Sequence, residues 1–300
     1  MIKQPNYGWK FYRDYFNDVD FKISDKKSQE EIFKPKNKKF ERAILIPLVS
    51  NGVPFHSFTL KLLYPGLVSG VGYQMGIGMV GEFKIGFYFD HTTGMPVIPG
   101  SSIKGVIRSI FPSFQDEKEE AKLKRKSKND DQKARFIWNL ICDLKGIDNA
   151  SFSKKDEKSR LNENERKIIR QIELEIFEGR KIKIETELKK ASKEFQGEEY
   201  SGIYKSDIFF DSYIELPVDH GLTKDRIFGT DSVTPHGTNP LKSPVPLLFL
   251  KVLSGTTWRF CFNLNNGLHL TAEQKLELFR QLILNLGIGA KTNVGYGQFE

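Results

Sequence analysis

The chain has 300 residues, 39% hydrophobic and 12% aromatic, enough to bury a core without disulfides or a structural metal. Its 46 Lys and Arg outnumber 38 Asp and Glu, a formal charge of +8 that favours an anionic partner. This composition excludes a collagen, a disulfide scaffold and a wholly disordered chain, and no run reaches the roughly 18 to 20 apolar residues of a membrane span. Residues 1–10 lack the apolar stretch of a signal peptide. The expectation is a cytoplasmic protein with no membrane partner and no cofactor, in which Cys142 and Cys261, far apart and in no metal-type spacing, are reduced thiols.

In chain order, residues 1–40 form an N-terminal extension without a recognisable motif. Residues 56–64 and 82–89, aromatic, branched and bounded by glycine, predict strands. Residues 101–111 predict a helix with Ile103, Val106, Ile107, Ile110 and Phe111 on one face and Ser101 as N-cap after Pro99 and Gly100. Residues 115–200 are different material: 22 basic and 20 acidic residues make about half of the segment charged. Apolar residues at helical spacing, such as Ile137, Ile141, Ile169, Ile172 and Ile176, mark a mostly helical insertion with joints around 146–155 and charged faces in solvent.

Residues 207–214 predict a strand, followed by a Pro- and Gly-studded stretch to Pro246. Residues 247–253 and 256–264 predict a hairpin turned at Ser254 and Gly255, its second strand alternating Trp258, Phe260, Phe262 and Leu264 with Thr257, Arg259, Cys261 and Asn263. Thr271 and Gln274 form a capping box for a last helix that Gly287 ends, and residues 294–299 predict a closing strand. With the insertion set aside, the order strand, helix, two strands, helix, strand defines an α+β, ferredoxin-like (RRM-like) core over residues 41–114 and 201–300.

Two segments carry chemistry. At residues 95–108 a Pro-Gly turn leads into a helix whose first N–H groups, with the Ser101 and Ser102 hydroxyls, suit a phosphate, and Lys104 and Arg108 extend these donors as a basic strip. At residues 287–299, Gly287 and Gly289 permit tight turns, while Gly295 and Gly297 leave one face of the predicted last strand bare for a polymer backbone. Lys291, Thr292 and Asn293 supply donors at its lip, and Tyr296 either stacks on a base or fills the core. No catalytic or metal site emerges: His56, His91, His220, His236 and His269 form no zinc spacing, no nucleophile elbow is present, and Asp90 beside His91 points the opposite way on an extended segment.

The two segments, in this order, resemble the RAMP proteins of CRISPR systems, whose ferredoxin-like core carries a glycine-rich loop near its C-terminus. Residues 90–105, from Asp90-His91 through Pro99-Gly100-Ser101-Ser102 to Lys104-Gly105, together with residues 63–70, 208–213, 234–236 and 248–252, resemble the sixth-subunit family of the type III-B Cmr effector. The resemblance implies a noncatalytic structural subunit that binds CRISPR RNA and caps the filament near its 3′ end. Neighbouring backbone RAMP subunits are then its protein partners, and target RNA is met indirectly. It carries over Ser101, Ser102, Lys104 and Arg108 on the helix and Gly287, Gly289, Lys291, Thr292, Asn293, Gly295 and Gly297 in the loop. Two alternatives remain: a RAMP endoribonuclease that trims precursor CRISPR RNA without metal, and an adaptor that binds only protein.

Overall fold

The structure is a computed structural model, and it describes residues 6–41, 56–69, 79–83, 87–112, 128–147, 161–179, 206–215, 226–233 and 246–300. Strand β1 (His56–Lys61) is followed by β2 (Val97–Ile98), β3 (Ile208–Phe209), β4 (Ser212–Glu215), β5 (Phe228–Val233), β6 (Leu247–Val252) and β7 (Thr257–Asn263). The helices are α1 (Tyr7–Tyr12), α2 (Lys26–Glu41), α3 (Gly100–Ser109), α4 (Lys128–Lys145), α5 (Glu163–Glu178) and α6 (Ala272–Leu286).

The main sheet is antiparallel and runs β1-β7-β4-β2, with β3 also on β7. The chain end adds one more pairing, Leu62 opposite Phe299, beyond β1. First strand between last and third, with the second beyond: that is the ferredoxin-like order, with α3 and α6 as its crossovers. The predicted alternation of β7 holds, since Trp258, Phe260 and Phe262 are fully buried while Arg259 and Cys261 are half-buried on the other face. Phe279 of α6 packs on Phe262 and Phe209 at centroid distances of 5.3 and 5.2 Å. Each such ring contributes about 1.5–3 kcal/mol by leaving water.

The hairpin over 247–264 is not formed. Strand β6 pairs with β5 in a separate two-stranded sheet, and β7 pairs with β1 and β4. The chain after β1 explains this, because Leu62 bonds Gly255 and Thr256 while Leu67 pairs with Val252. Residues 62–67 thereby occupy the edges that a β6–β7 ladder would have used. Two further corrections follow from the register. The strand predicted over 207–214 is broken, since four steps from Phe209 to Tyr213 oppose three from Phe262 to Arg259, a one-residue bulge at Phe210 and Asp211. In the predicted strand over 82–89, only Phe89 forms a bridge, to Pro96, and residues 84–86 lie outside the described residues.

The bulge turns Asp211 toward α3, where its Oδ1 accepts from the Gly100 N–H at 2.8 Å. Pro99 occupies the N-cap position and has no side-chain oxygen to offer, so the cap is imported and the assignment of Ser101 is corrected. Asp211→Ala is expected to cost about 0.5–2 kcal/mol in urea unfolding, with Ser101→Ala neutral.

Both flanking regions are part of the core. In the N-terminal extension, the Tyr15 ring stacks on Phe83 at 5.4 Å and Phe40 meets Phe228 at 6.3 Å. In the insertion, α5 buries Ile169, Ile172, Ile176 and Phe177, and also Glu165, Glu173 and Glu175, which were expected in solvent. Each of these carboxylates is buried with a donor: Glu165 in a capping box with Asn162, Glu173 on Arg170 at 2.7 Å, Glu175 on Gln171 at 2.7 Å. Residues 113–127 and 148–160, with the first charged run and most of the predicted joints, lie outside the described residues.

Candidate functional site

The glycine-rich loop leaves α6 at Gly287, whose N–H donates to Ile283 O at 2.9 Å, and settles against residues 63–69. Ala290 N–H donates to Val68 O at 2.7 Å and Gly297 N–H to Gly66 O at 2.8 Å. Two glycines are dictated by close approaches, one to residues 63–69 and one within the loop itself. At Gly289 (φ +102) a Cβ would stand 2.4 Å from Val68 O, and at Gly297 (φ +66) one would stand 1.8 Å from Ile288 O.

The bare strand face is therefore a correction. Residues Thr292–Val294 form a 3-10 turn and pairing resumes only after Gly297, where Leu63 N–H donates to Gln298 O and Glu300 N–H to Lys61 O, both at 2.9 Å. Tyr296 is 9% exposed, edge-on to Phe249 at 5.8 Å, and its hydroxyl donates to Asp231 Oδ2 at 2.6 Å. Of its two readings, core filling is the one realised.

Its neighbours complete a cluster that the sequence reading missed. Lys251 Nζ lies 2.7 Å from Asp231 Oδ2, 5.8 Å from the Tyr296 ring and 5.9 Å from the ring of Tyr64, which is 83% exposed. Burial works to raise the Asp231 carboxyl, but hydrogen bonds from Lys251, Tyr296 and the Ser232 N–H outweigh it and hold it below the usual range. Burial and then the Asp231 contact push the Tyr296 phenol up. The Lys291 ammonium sits 5.8 Å over the Phe249 ring. A cation inside an otherwise apolar run of β6 was the available signal for Lys251. Tyr64 ends a predicted strand and stands in the resembling segment 63–70, but nothing there points to an exposed ring, and Asp231 falls in the Pro- and Gly-studded stretch before Pro246.

Among the described residues, the helix and the loop are not bonded to one another. Ser101 and Ser102 are exposed in the first turn of α3, at the end Asp211 already caps. Lys104 donates to the Phe177 carbonyl of α5 at 3.3 Å, while Arg108 pairs with Glu178 at 2.7 Å and covers the Phe177 ring at 5.4 Å. These two cations serve the C-terminal turn of α5, where unpaired carbonyls favour them. Among the described residues, no hydrogen bond or ion pair joins α3 to residues 287–297.

Among the described residues, no group of His, Cys, Asp and Glu is placed to hold a metal ion, and no helix is long and apolar enough to cross a membrane. Asp90 commits its carboxylate to the Thr92 hydroxyl at 2.6 Å and the Thr93 N–H at 2.7 Å, a turn that fits a structural role beside exposed His91. Burial works to raise its carboxyl, but those bonds keep it low. His220 and His236 lie outside the described residues.

A sequence model of the RAMP superfamily matches residues 59–300, which hold the whole loop cluster and the ferredoxin-like sheet apart from the first residues of β1. The chain belongs to the RAMP superfamily. No curated protein sequence matches it. Among solved structures, this RAMP protein is similar to a chain in a cryo-EM structure of type III-B Cmr-beta bound to cognate target RNA, at 20% identity and TM-score 0.43, over 81% of its own length and 57% of that chain's. It is also similar to Cmr6 from Pyrococcus furiosus in a crystal structure, at 20% identity and TM-score 0.37, over 82% and 97% of the two chains.

Proposed function

We propose that this RAMP protein is a noncatalytic CRISPR RNA-binding structural subunit of a cytoplasmic type III-B Cmr effector. It caps the filament near the 3′ end of the CRISPR RNA, beside backbone RAMP subunits, and meets target RNA only through the assembly. Membership of the superfamily and the sequence strings at residues 63–70, 90–105 and 287–299 support this reading. The observation that carries the RNA contact is the exposed Tyr64 ring standing beside Lys251 and the glycine-rich loop.

An exposed ring beside a cation is suited to a single strand, since a base stacks on the ring whatever its identity while the Lys291 ammonium at the loop tip follows the phosphates. Lys291, Thr292 and Asn293 supply donors at the loop tip, while Gly287, Gly289, Gly295 and Gly297 shape the backbone that presents them. Lys251, held by Asp231, orients rather than grips. The contacts read backbone and stacking, not sequence.

The test is RNA affinity at several salt concentrations, in the assembled complex where the lone subunit binds weakly. Tyr64→Ala is expected to weaken binding by about 1–3 kcal/mol with little change in salt dependence. Lys291→Ala is expected to lower the magnitude of the log-log salt slope by about 0.7. Repeat and target RNA stay intact with or without magnesium. Folded variants that bind like the parent would favour an adaptor, and cleavage that survives repurification would favour the endoribonuclease.

A further inference from the structure

The two N-terminal helices meet in a cavity of about 280 Å³ lined by Tyr7, Lys10, Asp14, Lys36, Lys39 and Phe40, together with Tyr15. All of these residues precede residue 59, so the cavity lies outside the superfamily match. Lys36, Lys39 and Phe40 are three and four apart on α2 and share one face. Phe40 anchors that face against Phe11 and Phe228 at 5.8 and 6.3 Å, and Tyr7 anchors α1 against Phe228 at 5.8 Å. The walls are therefore fixed by the core.

Two of the cations are held in place without being neutralised. Lys10 Nζ sits 5.4 Å over the Tyr7 ring, and Lys36 Nζ donates to the Asn17 carbonyl at 2.7 Å. Among the described residues, Lys10, Lys36 and Lys39 form no ion pair, and Asp14 is paired with none of them. Gathering three like charges opposes folding, an opposition that a bound anion would relieve. Against one carboxylate the three ammonium groups leave a local charge of +2. A phosphomonoester, at about −1.5 to −2 near pH 7, matches it.

We propose that this cavity is a second binding site, which takes the phosphomonoester group of a nucleotide, with Lys10, Lys36 and Lys39 donating to the phosphate oxygens. The ammonium groups act as point charges with rotatable donors, a form that suits phosphate. The volume is just below that of small-molecule pockets, about 300–1,000 Å³, and leaves room for a phosphate and part of the group that carries it. The phosphate comes either from a free nucleotide or from the phosphorylated end of an RNA. This site does not depend on the loop cluster.

The full-length protein is titrated with UMP, with uridine, and with a ten-residue oligouridylate carrying or lacking a 5′-phosphate. Lys10→Gln and Lys39→Gln serve as variants, and circular dichroism checks their folding. UMP or the phosphorylated oligonucleotide is expected to bind more tightly than its unphosphorylated counterpart. Each lysine variant is expected to weaken that binding by about two- to fivefold. An advantage seen only with UMP identifies a free nucleotide as the source, and one seen only with the oligonucleotide identifies a strand end. Lys291→Ala leaves the phosphate-dependent part unchanged, so failure of the loop reading does not touch this one. Equal binding of phosphorylated and unphosphorylated probes, or folded lysine variants that bind like the parent, overturns the proposal.

Discussion

Lys275→Met is expected to destabilise the protein by about 3–5 kcal/mol at neutral pH, because it strands a buried carboxylate. The Lys275 and Asp207 side chains are 2% and 0% exposed, with Nζ 2.9 Å from Oδ2. Lys275 also donates to Asn265 O at 2.8 Å, and Asp207 Oδ1 accepts from Asn265 N–H at 2.9 Å. The Asp207 N–H donates to Ile176 O at 3.0 Å, so the pair joins α6, the start of β3 and the insertion helix α5. Burial pushes the Asp207 carboxyl up while Lys275 pulls it back.

Without Lys275, burial outweighs the remaining Asn265 N–H bond, and the carboxyl holds its proton to higher pH in the folded state than in the unfolded one. Stability then falls as pH rises from the unfolded value near 3.8 toward the folded one, so the deficit is largest at neutral pH and shrinks in acid. Lys275→Met with Asp207→Leu should recover most of the loss. Urea unfolding of both variants at pH 4 and pH 7 checks this. A single variant within 1 kcal/mol of the parent at pH 7 would show that the pair is not the fastening described.

Gly297→Ala is the second large effect. Its φ of +66 disfavours any side chain, and the new Cβ would meet the Ile288 carbonyl, a backbone atom that cannot swing aside. Left-handed strain and overpacking together come to about 2–5 kcal/mol. RNA affinity is expected to drop with it, by a factor insensitive to salt, since no charge is removed. Gly295→Ala is the control. Its nearest neighbour would be Pro65 Cδ at 3.5 Å, an ordinary contact, which leaves only the strain of a φ of +97, about 1 kcal/mol. Comparing urea midpoints and RNA binding of the two separates a loop that must fold tightly on Ile288 from a strand that must stay bare.

Local signals were legible in the sequence. The capping box at Thr271 and Gln274, the glycine that ends α6 and the alternation along β7 depend on residues within a few positions of one another, and all are present. What failed needed partners distant in sequence. Ser254-Gly255 does announce a turn, but nothing local reveals that residues 62–67 intervene and send β6 to β5. Nor does Pro99-Gly100 announce that Asp211, 111 residues away, supplies the cap. Lys104 and Arg108 fall off the apolar stripe as expected, yet their donors go to α5, whose acidic residues looked like a solvated surface. In the candidate site the loop was legible from its glycines. That Tyr64, Lys251 and Asp231 meet was not, because they come from three separate segments.

RNA is proposed to lie along the glycine-rich loop and Tyr64. This placement is tested most directly by photocrosslinking 4-thiouridine-substituted CRISPR RNA to the assembled complex and mapping the attached peptides of this subunit by mass spectrometry. Crosslinks are expected within residues 63–69 and 291–297, lost from the first segment in Tyr64→Ala. Crosslinks confined to α3 and β2, or none to this subunit while its neighbours are labelled, would contradict it.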